Sequence, residues 1–148
     1  MYSARHAARE PTFLPLTVAA ARAAATAPAD PSVQASAQAV RRQAEAADAA
    51  AAECWTALLA GCNSPGRRAL PGQLRELTEA TSSYLGQRCW LGAGSPHRER
   101  VTGAEVRIAD AVTEGDGAEF AEAFVGYDQA VATAVASVRS RASTRVEA

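Results

Sequence analysis

Lysine is absent: all fifteen of the chain's strongly basic side chains are arginines. That removes Schiff-base catalysis and the phosphate-binding lysine of a P-loop. Aromatic residues make up only 5% of 148 positions, so large side chains are scarce and must be concentrated where they count. Three cysteines in a chain of this length do not make a disulfide framework, and a reducing, cytoplasmic setting is the expectation. No run approaches the roughly 20 apolar residues that a membrane-spanning helix needs. Charge of one sign is also lacking. A net charge of −1 and a pI near 6.1 argue against a general nucleic-acid or membrane-surface protein, while leaving local patches open.

Catalytic patterns are missing too. Only His6 and His97 are present, and neither stands beside a recognisable nucleophile. No Glu-x-x-His pair, phosphate-cradling glycine loop or Gly-x-Ser-x-Gly turn occurs. The chain therefore reads as non-enzymatic, with no catalytic residue, cofactor or metal. Cys54, Cys62, Cys89 and His97 tempt a zinc assignment, because both pairs are eight apart. On one helix, however, Cys54 and Cys62 would lie about 12 Å apart along the axis, and Cys54 and Cys89 on an antiparallel hairpin would be offset by roughly 16 Å. Cys54 and Cys89 are better read as small apolar core residues and Cys62 as part of a turn.

What the sequence has in quantity is alanine, about half of its 48% hydrophobic residues. From Asp30 to Gly61 alanine forms a regular seam. Val33, Ala37, Val40, Ala44, Ala47, Ala51, Cys54 and Leu58 alternate steps of four and three, with Trp55 widening the stripe. Asp30 is placed as an N-cap, Pro31 as the first helical residue and Gly61 as a left-handed stop. At 1.5 Å per residue such a helix is roughly 46 Å long.

Elsewhere the period is again helical. Met1 to Pro11 shows no stripe, and residues 1–12 are expected to be flexible. Arg5 and Arg9 ahead of Phe13 to Ala21, with Ala25-Thr26-Ala27 following, resemble a signal peptide. Pro15, Thr17 and Arg22 interrupt it, and Leu14, Val18, Ala21 and Ala25 instead mark a short first helix. A third helix is expected from Pro71, with Leu70, Leu74, Leu77, Thr81, Tyr84 and Leu85 on one side, running to the Gly92–Pro96 loop despite the cost of Gly86. A fourth spans Thr102 to Glu114, with Val101, Ala104, Ile108, Ala111 and Val112 inward and Glu105, Arg107 and Asp110 outward. The last begins at Asp116, whose spacing from Glu119 is that of a capping box. Phe120, Phe124, Tyr127, Val131, Ala134 and Val138 repeat the four-three rhythm, and residues 143–148 read as a flexible tail.

No segment alternates with a period of two. The expected fold is all-α: a single domain over 1–148, an antiparallel up-down bundle of four main helices with a short accessory N-terminal helix. Alternating helix directions gather Arg88, Arg98, Arg100, Arg139, Arg141 and Arg145 at one basic pole, a candidate site for a partner or anion. The function expected first is that of a helical interaction or accessory protein of bacterial type, meeting a protein partner or a second copy of itself. The alternative is a small regulator that binds nucleic acid or an acidic partner through the basic pole. Against it, a recognition helix starting near Gly117 would carry Glu119, Glu122 and Asp128 toward phosphates. A third reading places a ligand pocket among Trp55, Tyr84 and Tyr127. No membrane association is expected.

Overall fold

Asp30 and Gly61 punctuate the alanine-rich segment as their chemistry requires. The Asp30 carboxylate accepts a hydrogen bond from the Val33 amide at 3.0 Å. Gly61 adopts φ 70°, which lets the Cys62 amide reach back to the Ala57 carbonyl at 2.8 Å. A computed structural model describes residues 10–147 of the chain, with side chains through Arg141. Among the described residues there are six helices and no strand: α1 (Pro15–Thr26), α2 (Pro31–Ala60), α3 (Pro65–Leu85), α4 (Gln87–Leu91), α5 (Ser95–Glu114) and α6 (Gly117–Glu147). None is long and apolar enough to cross a membrane.

Several boundaries differ from the sequence expectation, each for a local reason. Helix α3 starts at Pro65 rather than Pro71, because Ser64 caps it by accepting from the Arg67 amide at 3.1 Å. Pro71 thus lies inside the helix, where its missing N–H deprives the Arg67 carbonyl of its intrahelical donor. Gly86 does not ride within a continuous helix; at φ 92° it separates α3 from the five-residue α4. Helix α5 starts at Ser95, seven residues before Thr102, since Pro96 is tolerated in a first turn. Asp116 caps α6 through the Glu119 amide at 3.1 Å, but only half of the expected box forms. The Glu119 side chain grips Arg107 instead, at 2.8 and 3.0 Å. Helix continues through residues 143–147, where a tail was expected. Residues 1–9 and 148 lie outside the described residues.

The seam of α2 is buried at Ala37, Val40, Ala44, Ala47, Ala51, Cys54 and Leu58. Val33 departs from it, 38% exposed on the first turn. The hairpins α2–α3 and α5–α6 pack with α3 resting on α6, while α2 and α6 meet little directly, as do α3 and α5. Two side grooves result. Helix α1 lies in the α2/α6 groove, burying Leu14, Val18, Ala21 and Ala25. The short α4 leans on both α3 and α5, with Trp90 buried.

The large side chains gather beneath the start of α1. Phe13 meets Trp55, Phe120 and Phe124 at ring-centroid distances of 5.8, 5.6 and 5.5 Å. Phe124 in turn meets Tyr127 at 6.1 Å. These tilted and edge-on arrangements suit the ring quadrupoles. At about 45 Å against about 30 Å, α2 outreaches α5, and α1 covers part of α2's exposed length.

A candidate groove between α3 and α5

Three carboxylates are drawn into the protein, two of them at places where the helical period calls for apolar groups. Two of them, Asp48 and Asp128, are 7% and 3% exposed and hold the start of α1. Leu14 cannot cap a helix with its own side chain. One Asp48 oxygen instead accepts from the amides of Thr12, Phe13 and Leu14 at 3.1, 2.8 and 2.9 Å. Asp128 takes the next free donors, the Leu16 and Thr17 amides at 3.0 and 2.7 Å. The Thr17 hydroxyl also donates to the Asp128 carbonyl at 3.1 Å. The cap of α1 is therefore supplied by α2 and α6, and Thr12 belongs to the ordered fold rather than to a loose end. Burial pushes the Asp128 carboxyl up; the Thr17 and Leu16 bonds oppose this and the nearby Asp48 charge adds to it. Asp128 is not available to repel a phosphate from the surface.

The third carboxylate, Glu105, was expected to face outward and is instead half-buried between α5 and α3. The Thr78 hydroxyl donates to it at 2.6 Å. Tyr127 lies 3.0 Å from the same hydroxyl and donates to the Leu74 carbonyl at 3.2 Å. Burial raises the Glu105 carboxyl, and the Thr78 bond and the Arg75 charge only partly offset it. Tyr127 is fully enclosed, and burial raises its phenol strongly.

Beside this chain of hydroxyls runs an apolar groove of about 240 Å³. Leu70, Leu74 and Ile108 form its floor, Pro71 and Val106 its walls, and Arg75 and Glu105 bring charge to it. Val106 is 55% exposed there, a large apolar side chain without cover. Thr78 opposite Glu105, and Arg67 bonded to the Val112 carbonyl, show that α3 and α5 run antiparallel along the groove. Helix α4 enters only at the far end, near Leu85 and the start of α5. The groove continues past Pro71 and Val112 to Arg67 and Arg68. A larger cleft of about 590 Å³ on the α5/α6 face is bounded by Arg100, Arg107, Gly103 and Gly126. Its Arg107 is already engaged by Glu119 and, at 3.7 Å, by Glu122.

The arginines of the basic pole are only partly free. Arg98 donates to the Trp90 carbonyl and to the Ser95 hydroxyl, both at 3.2 Å, and so closes the end of α4. Arg100 approaches the His97 ring at 3.4 Å, and the His97 pKa is lowered by burial and by that charge. Arg139 and Arg141 share the end of the molecule that holds Tyr84, whose phenol burial raises and their charges draw back down. Arg88 is exposed on α4; Arg145 lies beyond the described side chains.

Trp55, Tyr84 and Tyr127 do not line one pocket. Trp55 packs on Phe13 and Phe120, Tyr84 sits by Arg139 and Arg141, and Tyr127 bonds to Leu74. The cysteines are all free, Cys54 buried, Cys89 half-buried and Cys62 exposed, and burial raises the Cys54 thiol. Among the described residues no group of His, Cys, Asp or Glu is arranged to hold a metal.

Sequence reasoning missed Asp48, the inward side of Glu105 and the role of Phe13. A signal for Asp48 was available: it falls between Ala47 and Ala51 on the buried stripe, a charge set among apolar positions. Comparisons with models of known families, with curated proteins and with solved structures find no match to this chain.

Proposed function

We propose that the chain is a non-enzymatic, cytoplasmic interaction protein. Its four long helices form an antiparallel up-down bundle, with α1 as an accessory, and it acts by presenting the α3/α5 groove to a protein partner. One observation carries this reading: the groove is apolar along its floor and exposes Val106, while its counterpart between α2 and α6 is filled by α1. Unfilled apolar grooves between helices are where partner helices dock. The basic pole gives less support, because Arg98 is committed to the Trp90 carbonyl.

Placing a photo-crosslinking amino acid at position 106, with position 59 as an exposed control on α2, tests the reading in the native cell. Discrete protein adducts are expected from 106, absent from 59 and weakened by Arg75→Glu. Equal labelling from both positions, or none from 106, contradicts it.

A further inference from the structure

The filled groove shows what kind of object the open one accepts. Helix α1 lies between α2 and α6 with a face of small or branched residues, Leu14, Val18, Ala21 and Ala25, all buried. The hairpin α5–α6 is likewise preceded by a helix, α4, which leans on α3 and α5 but ends after five residues. Beyond it, α5 runs seven residues from Glu105 to Val112 with the groove still uncovered, about 10 Å or two helical turns.

The two edges of that stretch differ in charge. On α3, Arg68 and Arg75 are exposed and two turns apart, so they stand above one another on the same side. Arg75 is in no ion pair among the described residues, and Arg68 spends one nitrogen on the Asn63 carbonyl. On α5 the edge consists of Thr102, Val106 and Ala109, without charge. Glu105 sits between the edges with its Oε2 held by Thr78. The groove therefore asks for an apolar stripe in the middle and negative charge on one flank only.

Resting on the reading of this groove as a protein-docking site, we infer that its occupant is an amphipathic helix of a partner protein. That helix has a small apolar face toward Pro71, Val106 and Ala109, above the buried Leu70, Leu74 and Ile108, and acidic residues along the flank that meets Arg68 and Arg75.

Two synthetic peptides of about 16 residues, long enough to hold helix, test this against the full chain by fluorescence anisotropy. Both carry leucine and alanine on the buried face; one has glutamates along a single flank, the other lysines at the same positions. The glutamate peptide is expected to bind at least about tenfold more tightly and to weaken as salt rises. Joint Arg68→Glu and Arg75→Glu substitution should reverse the preference, and Val106→Asp, checked for unchanged helicity, should abolish binding of both. Equal binding of the two peptides overturns the acidic flank and leaves the docking site standing. Binding of neither, with adducts still formed from position 106, overturns the helix as occupant but not the protein-binding reading; without those adducts both fail. A dimer in light scattering that Val106→Asp dissolves overturns the inference in favour of a second copy of this chain.

Discussion

Between α2 and α6 the chain lays a helix of 12 residues, and between α3 and α5 one of 5. Both helices precede a long hairpin, and both enter a groove left where two helices of different hairpins fail to meet. Length alone does not explain the different outcomes. The start of α1 is anchored by two buried carboxylates that together accept five backbone amides. Charge-assisted bonds of this kind are roughly twice as strong as neutral ones. Among the described residues the α3/α5 groove has no such anchor for α4; its carboxylate, Glu105, accepts from Thr78, and α4 is closed from outside by Arg98. One groove is built to keep its helix, and the other leaves its Val106 wall exposed above a floor that α3 and α5 already bury.

The largest effect should come from the aromatic cluster under α1. Phe124 is 1% exposed and touches Phe13, Phe120 and Tyr127, so Phe124→Ala should cost about 3–5 kcal/mol in urea unfolding. An unchanged midpoint would remove the filled groove's claim to be the core. Next comes Asp48→Ala, which strands three amides at the start of α1. A loss of about 2–3 kcal/mol is expected, with hydrogen exchange accelerating along α1 before α3. Uniform protection in that variant would mean that α1 is held by packing alone.

The carboxylate of the open groove, Glu105, also answers to pH. Because burial raises its carboxyl in the folded state, the native protein binds this proton more tightly than the unfolded chain does. The contribution is thus full below the ordinary glutamate value and is lost as pH rises through the raised one. Relative to wild type, Glu105→Gln should therefore gain stability as pH climbs from about 4 and then level off. Urea midpoints of the two proteins across pH check the sign; wild type gaining on the variant as pH rises would contradict it. The smallest effect is Val106→Asp. On an exposed wall it should shift stability by no more than about 0.5 kcal/mol, severalfold less than Val18→Asp in the filled groove, at 2% exposure.

Much of this was legible in the chain. The caps of α2, the buried stripes and the aromatic face of α6 follow from local rules that hold whatever surrounds them. The short α4 was invisible because five residues carry no period, and the early starts of α3 and α5 were masked by prolines that read equally as loop or as first turn. The grooves themselves were not legible. They depend on which hairpins touch, and Glu105, on an apparently outward position of α5, is drawn in toward Thr78 of α3, a partner that lies 27 residues away in the chain. The basic pole was inferred from helix direction alone, which says nothing of Arg98 closing on the Trp90 carbonyl.

The contrast between the grooves can be read directly as thiol reactivity. With Cys54, Cys62 and Cys89 replaced by serine or alanine and folding verified, Val18→Cys and Val106→Cys each place one thiol in one groove. Labelling at 106 should proceed at close to the rate of an unstructured thiol at every protein concentration, while labelling at 18 should wait on opening of α1 and speed up when Asp48→Ala is added. Equal protection at the two positions would contradict the central claim that one groove is filled and the other open.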